Sequence, residues 1–68
     1  MNSAIYKKVH VVGTSTRSFS EAAANAVAKM AKLEQGLSWC EVVEQRASIN
    51  GGEIEHYQTT LAIGIRVD

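Results

Sequence analysis

The sequence predicts an α+β domain in which strand, helix, strand and strand follow one another. The three strands form an antiparallel sheet in the order 1-3-2, with the helix on one face. Three observations predict it. Apolar side chains alternate at both ends of the chain, an alanine-rich stripe recurs at helical spacing between Phe19 and Leu33, and Asn50-Gly51-Gly52 separates two long strand-like runs. One helix between the first two strands favours a right-handed crossover, which makes those strands parallel and leaves the third to lie antiparallel between them.

The first strand is read from Ile5 to Val12, with Val9 and Val11 on one side and Tyr6, Lys8 and His10 on the other. Gly13-Thr14-Ser15-Thr16 reads as a turn. Ser18 followed three residues later by Glu21 matches a capping box, in which the serine oxygen takes a free amide and the glutamate reaches back. Phe19, Ala22, Ala23, Ala26, Val27, Met30 and Leu33 form the apolar stripe, and Gly36 reads as the left-handed stop. The second and third strands are read as Leu37–Ile49 and Glu53–Val67. In the third, Tyr57, Thr59, Leu61, Ile63, Ile65 and Val67 are expected to face the helix.

Parity across the hairpin assigns the other face. With an even-numbered turn, Trp39, Val43 and Gln45 share the helix-free face with Gln58, Ala62, Gly64 and Arg66, while Cys40 and Val42 turn to the helix. An odd-numbered turn reverses the assignment. Trp39, the only tryptophan, then stands opposite Ala62 or Gly64, and a large ring beside missing side chains leaves a slot for another flat group.

At 68 residues the chain is one domain, 1–68, that buries only about 60% of its unfolded surface. Such chains gain stability from disulfides, metals or association. A lone Cys40 closes no intrachain disulfide, and two histidines without ligand spacing make no metal site, so self-association is expected. Cys40 reads as a small buried apolar side chain with no base beside it. Seven basic and seven acidic residues cancel, so no field draws the chain to nucleic acid. No apolar run is long enough for a membrane span, and Met1-Asn2-Ser3-Ala4 shows no leader pattern. A cytoplasmic protein without nucleic-acid or membrane partners is expected.

Tyr6-Lys7-Lys8-Val9, Val12-Gly13-Thr14-Ser15, Ser18-Phe19, Trp39-Cys40-Glu41-Val42-Val43-Glu44-Gln45-Arg46, His56-Tyr57-Gln58 and Gly64-Ile65-Arg66 occur in this order. In that order and spacing the chain resembles the dodecins, small flavin-binding proteins that assemble as hollow dodecamers. The resemblance implies a non-catalytic homododecamer that stores or buffers FMN, riboflavin or FAD and quenches its photochemistry. It implies flavin rings bound in pairs between tryptophans of neighbouring subunits, with Trp39 stacking and the Gln58 amide on the polar ring edge. Arg46 and Arg66 match basic positions used around bound cofactor, and coenzyme A is a second ligand of the family. Gln45 joins the candidates through its expected face. Two departures stand out: Cys40 follows the tryptophan where relatives often carry phenylalanine or alanine, and parity turns Arg46 toward the helix, which a bulge would reverse. A structural oligomer or a coenzyme A-binding module without flavin function is the rival reading. No catalytic residue and no metal ligand is expected.

Overall fold

A computed structural model describes residues 3–68. Met1 and Asn2, included in the expected domain bounds and leader reading, lie outside the described residues. The elements are β1 (Tyr6–Ser15), α1 (Phe19–Leu33), β2 (Leu37–Asn50) and β3 (Glu53–Arg66). The sheet runs β1-β3-β2 with both pairings antiparallel, as the sequence predicts.

β3 is central, flanked by β1 and β2, and it carries most of the buried residues. Thr59, Leu61, Ile63 and Ile65 are buried beneath α1, with Val9, Val11, Ala23, Ala26, Met30 and Leu37 around them. Ala22 and Ala26 are the buried helix residues, and short side chains let the helix axis approach the sheet. The Thr59 hydroxyl donates to the Phe19 carbonyl (3.0 Å), so this polar side chain under the helix has a partner. Phe19 and Tyr57 close that end edge to face, with ring centres 5.0 Å apart.

β1 runs three residues further than expected. Gly13, Thr14 and Ser15 pair with Thr59, Gln58 and Tyr57 instead of turning away. Gly13 is a close-approach residue in a strand, with the Ala22 carbonyl and Ala26 lying where its Cβ would be.

Half of the expected capping box forms. The Ser18 oxygen accepts from the Glu21 amide (3.0 Å). The Glu21 carboxylate does not return to the Ser18 amide, which donates to Ser15 Oγ instead (3.3 Å). Glu21 accepts from Ser15 Oγ (2.9 Å) and from the Arg17 guanidinium (2.7–3.1 Å), because a charged two-pronged donor is the stronger partner. Gly36 takes the left-handed conformation (φ 86°), but it shapes the entry to β2, since Glu34 caps the helix.

Hydrogen bonds from Arg17 first, then from Ser15, hold the Glu21 carboxyl below its ordinary value of 4.5. Lys8 lowers Glu41 and Arg66 lowers Asp68 in the same way. A carboxylate lowered by folding stabilises the folded state above its unfolded value, and that stability is lost as pH falls through the lowered folded value. Thermal stability should therefore decline below about pH 4.5, and Glu21→Gln should flatten part of the decline. Circular dichroism melts from pH 7 to pH 3 at low salt check this; identical acid profiles for the two proteins would contradict it.

The helix packs on β1 and β3 and leaves β2 almost uncovered. Val42, on the helix side of β2, is therefore exposed, and so is Cys40, contrary to its expected burial. Val27, Leu37, Ser38, Trp39, Cys40 and Ile63 border a groove of about 180 Å³ there. Beyond Tyr57 the β2–β3 hairpin has no β1 partner and extends as a two-stranded arm, with Ile49 72% exposed near its tip.

Candidate functional site: the helix-free face

Gly51 and Gly52 form a two-residue turn, both with positive φ (62° and 83°), between the paired Asn50 and Glu53. An even turn is thus present, but two bulges intervene. Glu55 is the extra residue on β3 between the Ile49–Ile54 and Ser48–His56 pairs. Val43 is the extra residue on β2 between the Val42–Leu61 and Glu44–Thr60 pairs. Each reverses the face of the pairs beyond it, so the two cancel past Val43.

Trp39 consequently keeps its expected face, directly opposite Gly64. Cys40 and Val42 keep theirs on the helix side. Between the bulges the expected assignment is overturned. Gln45 pairs with buried Thr59 and belongs to the helix side, so it does not join the face of Trp39. Arg46 pairs with Gln58 and belongs to the helix-free face, as its resemblance-based role requires.

The slot beside Trp39 also takes another form than expected. A Cβ on Gly64 would fall within 3.0 Å of Trp39 Cε2, Cζ2 and Cδ2, three bonded ring carbons, so the flat of the indole covers Gly64. The ring itself fills the gap left by the missing side chain. At 43% exposure the indole stays partly open to solvent, with the Lys8 ammonium over the ring, which makes Trp39 a platform lying on the sheet.

Three neighbours that are not among the candidate site residues named from the sequence complete the surroundings. Tyr6 is tilted at 54° to the indole with centroids 6.3 Å apart. Lys8 sits opposite Gly64 on β1, its ammonium 5.7 Å from the indole centre and paired with Glu41. The pair spans the central strand at Ala62, the residue opposite Glu41, whose single methyl raises little bulk beside the indole. A signal for this is present in the sequence: Tyr6 and Lys8 alternate with core Val9, and the strand order 1-3-2 sets their row against two small residues. Arg66 lies opposite Tyr6 at the same end and donates to Asp68 (2.8 Å), which raises its own pKa.

A second group lies further along the sheet. Arg46 Nε donates to Gln58 Oε1 (3.2 Å), beside Thr14 of β1. Gln58 is six residues from Gly64 on β3, about 20 Å at ~3.3 Å per residue, and the two sites of one chain are that far apart. Among the described residues no cluster of three or more histidine, cysteine or acidic side chains is placed to hold a metal ion. No helix there is long and apolar enough to cross a membrane.

Fold and face together define a βαββ protein that buries one side of its sheet under a helix and lays an aromatic platform on the other. The family model for dodecins matches residues 5–68. A dodecin of Thermus thermophilus is 38% identical over 64 residues, covering 94% of this chain and 93% of the relative. The dodecin structure from Streptomyces coelicolor superposes with a TM-score of 0.94 at 34% identity, covering 100% of this chain and 97% of that one. A calcium dodecin of Mycobacterium tuberculosis, described as having a novel calcium-binding site, superposes at 0.82 with 28% identity, covering 94% and 91% of the two chains. The chain belongs to the dodecin family.

Proposed function

We propose that this protein is a non-catalytic flavin-binding oligomer that holds FMN or riboflavin against Trp39 and quenches its photochemistry. The observation that carries this reading is the indole laid flat on Gly64 while 43% exposed. A planar, apolar platform with polar groups arranged on the same sheet face suits an isoalloxazine, which has two flat faces and one hydrogen-bonding edge. The residues present fit that group: Trp39 would take a ring face, and the carboxamide of Gln58 offers both donor and acceptor to a ring edge that presents both. When bound, a flavin supplies an excited state that an adjacent indole discharges by giving an electron and recovering it.

One chain cannot place Trp39 and Gln58 on the same ring, because about 20 Å along β3 exceeds the span of an isoalloxazine. Each site is therefore shared between chains. Self-association also fits the uncovered side of β2 and the exposed Val42, Val43, Ile49 and Ile54, an unusual amount of apolar surface for so small a chain. Twelve copies, as in the family, is the assembly we propose.

Titrating FMN into the protein should quench the flavin fluorescence at about one ring per chain. Trp39→Ala should lose most of the quenching and weaken binding at least about tenfold, since it removes both stacking and buried apolar area. A protein that leaves FMN fully fluorescent would overturn the reading in favour of a purely structural oligomer.

A further inference from the structure

The strongest unassigned geometry on the helix-free face is the contact between Arg46 and Gln58. The bulge at Glu55 turns Arg46 to that face, and the two residues stand directly opposite each other. Arg46 Nε donates to Gln58 Oε1 at 3.2 Å, and no acidic side chain forms an ion pair with Arg46 among the described residues.

A guanidinium has only donors, whereas a carboxamide has a donor end and an acceptor end that interchange by rotation. Arg46 can therefore engage only the oxygen of Gln58. With the oxygen held there, the NH2 group is fixed at the other end, where it offers two protons to a ligand. One lone pair of the oxygen stays free to accept. A glutamine without this neighbour could rotate and present either polarity at the same place.

We propose that Arg46 is a positioning residue that fixes the polarity of the Gln58 amide. The amide then reads a ligand edge in one sense, its NH2 donating to a ring carbonyl or ring nitrogen and its oxygen accepting from a ring N–H. This rests on the flavin reading above and adds to it: Arg46 acts on the ring through Gln58 and needs no phosphate. Polarisation of the carboxamide by the positive charge makes its NH2 the stronger donor.

Lumiflavin, which has the ring system without ribityl chain or phosphate, separates this role from phosphate binding. Binding of lumiflavin and FMN would be measured by fluorescence quenching for the wild type, Arg46→Met, Gln58→Ala and the double variant, with native mass spectrometry confirming the assembly of each. The expected result is that Arg46→Met weakens lumiflavin and FMN by the same factor, about tenfold for one charge-assisted hydrogen bond. In the Gln58→Ala background the same change should then cost lumiflavin almost nothing. Arg46→Lys, which keeps a charged donor, should recover part of the loss.

Weakening of FMN alone would make Arg46 a phosphate ligand and overturn the proposal. Additive losses of lumiflavin in the double variant would overturn it too, because they would show action independent of Gln58. Failure of the wild type to bind lumiflavin or FMN at all would instead refute the flavin reading on which the proposal stands.

Discussion

Gly13→Ala is expected to lower the melting temperature by at least 10 °C, on the order of 2 kcal/mol for a domain of this size. The added methyl would fall on the backbone carbonyl of Ala22 and on the Ala26 methyl. Neither neighbour is a flexible side chain that can swing aside. The helix would have to lift from β1, and lifting it exposes Leu61 and Ile63, which are almost wholly buried beneath it. Overpacking of this kind costs ~1–3 kcal/mol, a large share of what so small a core supplies. Thermal melts followed by circular dichroism measure the loss. A melting point within about 2 °C of the wild type would show that the helix does not sit against Gly13 as described.

A methyl added on the opposite face should act in the opposite way. In Gly64→Ala the methyl projects into the Trp39 ring, away from the helix-covered core. Gly64 does not have a positive φ, so alanine suits its backbone, and reduced freedom of the unfolded chain favours folding by ~0.4–1 kcal/mol. The indole must leave the sheet to accommodate the methyl, and the platform is lost as a flat surface. The expected outcome is a folded protein of nearly unchanged melting temperature whose FMN quenching and affinity both fall at least about tenfold, as for Trp39→Ala. Full flavin affinity in the Gly64→Ala variant would show that the indole need not rest on Gly64. Together the two glycine variants separate the packed face from the binding face.

The fold is legible in the sequence because its signals are local and strong. The glycine pair after Asn50 fixes the hairpin, the alanine stripe marks the helix, and the alternating row of β3 marks the central strand. β1 reads too short because glycine, threonine and serine in succession carry turn chemistry. Pairing with Thr59, Gln58 and Tyr57 outweighs that local preference, and the missing side chain at Gly13 serves the helix contact instead.

The face of each β2 residue is harder to read, since parity counts residues and cannot see bulges. Trp39 comes out on the expected face only because the bulges at Glu55 and Val43 cancel each other. Gln45 and Arg46 lie between the two bulges and exchange places. The Lys8–Glu41 pair is hidden for a different reason. It joins strands that are not neighbours in the sheet, and it passes over the small side chain of Ala62 on the central strand. Cys40 reads as buried because the width of sheet that one short helix covers is a tertiary quantity, and α1 packs mainly on β1 and β3.

If the platform made by Trp39 on Gly64 is half of a flavin site completed by another chain, binding and assembly must go together. Native mass spectrometry with saturating FMN tests this most directly, because one spectrum reports subunit number and ligand mass together. A closed homo-oligomer of twelve chains is expected, carrying about one flavin per chain, with no flavin on any dissociated monomer. An oligomer that remains free of flavin, or a monomer that retains it, would contradict a shared site at Trp39.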